Sequence, residues 1–150
     1  MDANGNSEAG IGYGSETWLS KPDGTLFELD EVTEVLLPEE STDDVETTHM
    51  KSPGKRKQYK PGLIEPGDAK LTVNYVPGSP TDLLLREMQS TRRIGKFKTT
   101  IPDDEGIPTW KIEGFLYVKS RSRAVTVGAV KTMTVNVRIT GAVDEAVAVA

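Results

Sequence analysis

Two segments of this chain alternate apolar and polar residues with a period of two, which is the repeat of a β-strand with one buried face. They are AKLTVNYV, residues 69–76, and KTMTVNVRITG, residues 131–141. The apolar positions are Leu71, Val73 and Tyr75 in the first and Met133, Val135, Val137 and Ile139 in the second. A sheet with one face in a core and one in solvent is the architecture that this pattern requires.

Further segments predict more strands and a single helix. ETWLS and TLFEL flank the turn KPDG and predict a hairpin, and GKFKTTIP and TWKIEGFLYVKSRSRAV add strands. Residues 80–90 predict a short helix, because Ser79 or Thr81 can cap it, Pro80 suits its first turn, and Leu84, Leu85 and Met88 form an apolar face. The predicted fold is mainly β, an antiparallel β-sandwich or barrel with one short flanking α-helix.

The length of 150 residues fits one domain. We expect a flexible N-terminal arm over residues 1–15, a β domain over 16–143 containing a long loop at 39–66, and a C-terminal tail over 144–150. No apolar run is long enough for a membrane span, so we expect no membrane insertion.

No residue pattern predicts catalysis, a cofactor or a metal. There is no cysteine, which excludes disulfides and thiolate chemistry. The glycine-rich GIGYGSET, residues 10–17, follows no predicted strand and opens no helix, so a nucleotide loop is not expected there. His49, the one histidine, lies in a polar segment, and residues 103–105, DDE, end in Gly106 as an ordinary turn does.

Charge is distributed unevenly along the chain. Residues 1–50 carry a net charge of −12 and residues 51–150 a net charge of +7, within a total of −5. The change of sign falls within residues 39–62, where an acidic stretch precedes a basic one. The acidic residues are Glu39, Glu40, Asp43, Asp44 and Glu46, and the basic residues are Lys51, Lys55, Arg56, Lys57 and Lys60.

The sequence allows three interpretations of this segment. They are a contact between subunits, a plain surface loop, and a nucleic-acid arm in which only Tyr59 could stack on a base. Contact between subunits is favoured, because loops longer than about 12–15 residues in compact domains are usually functional or disordered. A head-to-tail interface between unlike charges closes into a ring or advances as a filament.

The order of motifs resembles one known family. GYGSETW leads to DEVTEV, then to DVETTHMKSPGKRKQYKPGLIEPGDAKLTVNY, then to SPTDLLLREM and finally to VNVRITGAV. This series, over about residues 11–143, is similar to the tail tube proteins, or major tail proteins, of long-tailed, lambda-like siphophages and related tailed particles.

The resemblance implies a structural virion protein and no enzyme. Members build hexameric rings that stack into a hollow tube around a tape-measure protein, meet tail terminator and tail-tip proteins, and conduct DNA without sequence-specific binding. The implied location is the virion tail, reached from the host cytoplasm during assembly. In this family the long loop, here residues 39–66, contacts neighbouring subunits and the adjacent ring.

Polar faces of the predicted strands are the candidates for the lumen of such a tube. The residues are Glu34, Lys70, Thr72, Asn74 and Glu113. A conduit must not hold phosphate, so Lys70 is expected to have an acidic partner. The alternative function is a small β-rich nucleic-acid-binding protein that uses residues 51–60.

Overall fold

The computed structural model describes residue 4 and residues 13–103, 105 and 107–148. The strands are β1 (Glu16–Ser20), β2 (Leu26–Glu28), β3 (Val32–Glu34), β4 (Glu40–Glu46), β5 (Tyr59–Pro66), β6 (Asp68–Asn74), β7 (Gly95–Pro102), β8 (Pro108–Ala124) and β9 (Thr132–Val147). A 3₁₀ turn at Pro53–Lys55 lies between β4 and β5, and the helix α1 spans Pro80–Thr91. Most of the predicted N-terminal arm, residues 1–3 and 5–12, lies outside the described residues.

Seven strands form one antiparallel sheet in the order β2-β1-β7-β8-β9-β6-β3, and β4 pairs with β5 as a separate two-stranded sheet. The predicted alternation is confirmed: Leu71 and Val73 of β6 face the core with Val135 and Val137 of β9. The side chains between them point to the opposite face, which we call the outer face. The predicted hairpin of β1 and β2 is also confirmed, with Leu19 opposite Phe27.

The two edge strands of the sheet, β2 and β3, are neighbours in sequence and are joined by only Leu29, Asp30 and Glu31. So short a link requires the sheet to curl until its edges approach. Leu36, which follows β3, is 1% exposed. Its amide hydrogen bonds to Thr17 Oγ1, and its carbonyl accepts a 2.7 Å bond from Thr99 Oγ1. The antiparallel β fold with one helix is therefore confirmed, as a curled half-barrel.

Helix α1 covers the core as predicted. Its N-cap is Ser79, whose Oγ accepts a 3.3 Å bond from the Asp82 amide. Leu85 and Met88 are fully buried and Leu84 nearly so. The helix ends at Thr91, and its C-cap residue, Arg92, adopts the left-handed conformation with φ 55°.

Two predicted boundaries are wrong. The long loop expected at 39–66 is largely a β-hairpin, because backbone pairing of β4 with β5 orders it although every β4 side chain is exposed and gives no apolar pattern. The tail expected at 144–150 belongs to β9 as far as Val147, because Asp144 to Val147 pair with Glu113 to Trp110 of β8. Residues 149 and 150 lie outside the described part.

Candidate subunit interface and lumen surface

The ten charged residues of the predicted contact lie on the β4–β5 hairpin or directly beside it. Alternation places Glu40, Asp44 and Glu46 of β4 on one face. Directly opposite pairs share a face in an antiparallel sheet, so Tyr59, opposite Glu46, lies on that face too. Ile64, opposite Thr42, lies there as well. We call this set the acidic face of the hairpin. Asp43 lies on the opposite face, and Glu39 precedes the strand.

The basic residues lie at the tip of the hairpin. Lys51, Lys55, Arg56 and Lys57 occupy the exposed connection between the strands, and Lys60 is on β5. His49 shapes this connection: its amide donates to Ser52 Oγ at 2.9 Å, and its Nδ1 accepts from the Lys51 amide at 3.2 Å. The histidine therefore has a structural role in the turn.

The structure places both signs of charge on one hairpin and leaves them unpaired. Across residues 13–103, 105 and 107–148, no ion pair within 4.0 Å involves any of the ten residues. Apolar side chains are exposed on the same hairpin: Leu63 is 83% exposed, Ile64 64% and Tyr59 56%. Unpaired charge beside exposed apolar surface is typical of a binding surface.

A cluster that sequence reasoning missed joins the hairpin to the sheet. Arg138 of β9 contacts Glu65 of β5 at 2.6 Å and Asp68 of β6 at 3.3 Å, and Lys119 of β8 contacts Asp68 at 3.2 Å. Hydrogen bonds from Lys119 and then Arg138 lower the pKa of the Asp68 carboxyl. No sequence signal marks these residues, because strand register alone brings them together.

The lumen candidates lie on the outer face, and three of them are in contact. Lys70 Nζ lies 3.6 Å from Glu34 Oε2, and Thr72 Oγ1 donates to the same oxygen at 3.3 Å. The expectation that Lys70 has an acidic partner is thus met by Glu34. Asn74 follows on the same face of β6. Glu113 lies two strands away on β8, 3.7 Å from both Lys96 and Lys111.

Uncharged polar side chains fill most of two cross-strand rows on the outer face of β6, β9 and β8. Ser122, Thr134 and Thr72 form one cross-strand row, and Ser120, Asn136 and Lys70 form the next. Asn136 Nδ2 donates to Ser120 Oγ at 3.0 Å. We call this set the neutral surface. Its one ion pair in the described structure, Lys70 with Glu34, adds no net charge.

An acidic edge lies at the other side of the sheet, where Glu16, Glu28 and Asp30 lie near one another. Burial, and then the neighbouring carboxylates of Glu16 and Asp30, raise the pKa of the Glu28 carboxyl. A raised pKa means that the ionised form is destabilised there. The like charges of Glu16, Glu28 and Asp30, as distinct from the burial, give this edge of the isolated subunit its complementarity to a cation.

Within the described residues, no group of three or more His, Asp or Glu side chains could hold a metal ion. The side chain of Asp103 accepts from the amides of Glu105 and Ile107, which is turn geometry, and Asp104 and Gly106 lie outside the described residues. No helix in the described part of the chain is long and apolar enough to cross a membrane.

The family model of the lambda phage tail tube protein matches residues 13–147. The chain therefore belongs to the lambda phage tail tube protein family, whose role is structural.

Solved structures share the fold at low identity. A chain of the anti-feeding prophage baseplate has a TM-score of 0.74 at 9% identity, over 94% of this chain and 97% of that chain. A chain of the tail of a gene transfer agent particle, determined with C6 symmetry, has a TM-score of 0.71 at 15% identity, over 91% and 98%. The SPP1 tail tube has a TM-score of 0.64 at 12% identity, over 91% and 78%. No curated protein sequence matches significantly.

Proposed function

We propose that this protein assembles into hexameric rings that stack as the hollow tube of a siphophage tail. The observation that carries the proposal is the β4–β5 hairpin. Its ten named charged residues, unlike Glu65, have no ion-pair partner in the described subunit, and its apolar side chains are exposed. A second copy of the chain can supply both missing contacts. Sixfold symmetry in the gene transfer agent tail, a structure with this fold, supports the stoichiometry.

The basic tip of the hairpin has a complementary target on a neighbouring copy. Lys55, Arg56 and Lys57 are exposed and carry positive charge, whereas Glu16, Glu28 and Asp30 form the acidic edge. Contact between these surfaces is heterologous, since each subunit uses a different patch to bind its neighbour on either side. Such contacts generate rings when the rotation closes and helical tubes when it advances.

The neutral surface is the face that we assign to the lumen, with Glu34, Lys70, Thr72 and Asn74 exposed to transiting DNA. Proteins that hold DNA do so chiefly through Lys and Arg contacts to phosphate. Hydroxyl and amide groups, together with the neutralised Lys70, provide no net positive charge to hold it. At the margin of this surface Glu113 contacts both Lys96 and Lys111 and compensates one of their two positive charges. DNA would therefore pass without sequence-specific or strong binding.

The role in a phage tail defines further partners and a location. We assign the assembled protein to the virion tail, with assembly in the host cytoplasm around a tape-measure protein. Tail terminator and tail-tip proteins would bind the two ends of the tube. The anti-feeding prophage tube-terminating cap, which covers 99% of this chain at a TM-score of 0.68, shows that a cap protein can share the fold.

The test compares the wild-type chain with a variant in which residues 42–64 are replaced by a short Gly-Ser turn. Every described side chain of β4 is exposed, so the variant should keep the core and its cooperative unfolding. Sedimentation of concentrated protein should show large assemblies for the wild type alone. If both chains remain monomeric and the wild type retains DNA in a salt-dependent way, the alternative nucleic-acid-binding function holds instead.

A further inference from the structure

A groove on the body of the subunit combines apolar side chains with arginine. It lies between the C-terminal end of α1 and β8, has a volume of about 690 Å³, and is lined by Gln89, Arg92, Ile94, Tyr117, Val118 and Lys119. Ile94 is 60% exposed and Tyr117 38% exposed. Phe115, 50% exposed, extends the apolar surface along the outer face of β8.

Arg92 differs from most cations of the body. Arg93 pairs with Glu87 at 2.8 Å, Arg121 with Asp82 at 3.5 Å, and Lys119 with Asp68 at 3.2 Å. In the described structure Arg92 has no such partner. Its backbone is left-handed, with φ 55° and ψ 33°, a conformation for which glycine is the preferred residue after a helix. The fold alone therefore gives no reason for an arginine at this position.

The acidic face of the hairpin matches this groove in both charge and apolarity. Asp44 and Glu46 follow one strand, and Tyr59 and Ile64 follow its partner. A carboxylate row therefore runs beside an apolar row. In the groove, Arg92 likewise lies beside Ile94 and Tyr117. Arginine can bind a carboxylate through two parallel hydrogen bonds, which fixes orientation as well as charge.

We propose that the groove receives the acidic face of the hairpin from a second copy of this chain. Arg92 binds Asp44 or Glu46, and Ile64 and Tyr59 cover Ile94 and Tyr117. This contact rests on the proposed self-assembly and names the surface on which the hairpin strands dock. The basic tip remains free to reach the acidic edge of a further neighbour.

Cysteine cross-linking tests the contact directly, since the chain has no cysteine of its own. Ile64→Cys and Ile94→Cys proteins are mixed under assembly conditions and oxidised. A disulfide forms only when the two Cα atoms come within about 7 Å, so a cross-linked dimer of the two variants is expected. Val127→Cys, at a position 103% exposed in the β8–β9 turn, replaces Ile94→Cys as the control and should give at least about tenfold less cross-link. Equal yields from both mixtures would overturn the docking.

Charge reversal provides the second test. Arg92→Glu should raise the protein concentration needed for assembly at least about tenfold, and Asp44→Lys with Glu46→Lys in the same chain should restore it. Arg92→Gly should weaken assembly while leaving the thermal midpoint of the unassembled subunit unchanged or higher, which a merely structural arginine would not do. Normal assembly by Arg92→Glu overturns the groove alone. A wild-type chain that never assembles overturns the proposed function, and this contact with it.

Discussion

Reversing the charge of the hairpin tip should block tube growth and leave the subunit folded. In the variant Lys55→Glu, Arg56→Glu and Lys57→Glu, three exposed cations that form no ion pair in the described structure become anions. Nothing in the fold is lost, so the free energy of unfolding should change by no more than about 0.5 kcal/mol. Thermal unfolding of the unassembled subunit measures this.

The effect on assembly follows from the contacts that the tip would make. Each exposed ion pair contributes about 0.2–1 kcal/mol, so losing three costs about 0.6–3 kcal/mol at every subunit contact. Repulsion of similar size roughly doubles this to about 1–6 kcal/mol. Because about 1.4 kcal/mol is a tenfold change in an equilibrium constant, the critical concentration should rise about fivefold or more.

The assay is light scattering against protein concentration, with tubes identified by negative-stain microscopy. The matched control, in which the same three residues become glutamine, should show a smaller rise. A second variant that also carries Glu16→Lys, Glu28→Lys and Asp30→Lys should regain assembly. Wild-type assembly should weaken as salt rises, because the screening length is about 8 Å at physiological ionic strength. Normal tubes from the triple glutamate variant would refute this reasoning.

Three further predictions concern the acidic edge, the core and the neutral surface. Because the pKa of Glu28 is raised, its protonation stabilises the isolated subunit below pH 4.5, and this stability is lost as pH rises through the raised pKa. Glu28→Gln should therefore affect the stability of the subunit more favourably at pH 7 than at pH 4. Equal effects at the two pH values in thermal unfolding would contradict the raised pKa. Phe97→Ala, at a fully buried position, should cost about 3–5 kcal/mol in urea unfolding, and a cost below about 1 kcal/mol would place Phe97 outside the core. Thr72→Lys with Thr134→Lys should leave assembly intact but make tubes retain DNA at low salt; tubes that ignore DNA would exclude this face from the lumen.

The fold could be predicted from sequence where one face of each element is buried. The alternation in β6 and β9 and the cap of α1 at Ser79 are local signals, and the structure has both. The β4–β5 hairpin was not predicted, because both of its faces are exposed. Its residues are therefore mainly charged and do not show the apolar alternation of a half-buried strand. The C-terminal part of β9 was missed for a similar reason: its side chains beyond Ile139 are mostly exposed.

The residues of the candidate sites likewise divide into those that local sequence predicts and those that it does not. The ten charged residues of the hairpin appear in the sequence as one charged segment. The alternation of strand residues predicts that Glu34 and Lys70 lie on the polar face, where the structure pairs them. Arg138 and Asp68 are 70 residues apart, and the aligned groove and acidic face depend on register and on where a helix ends. Such long-range pairings are set by the packing of the whole chain, and no short window of sequence contains them.

Cryo-electron microscopy of the concentrated, purified chain is the most direct test of the central claim, that the hairpin joins copies of this protein into a tube. We predict hollow tubes of stacked six-subunit rings, with each hairpin ordered against neighbouring subunits and the neutral surface toward the channel. Monomers that persist at every concentration, or tubes in which the hairpins extend into solvent without contacting another subunit, would contradict it.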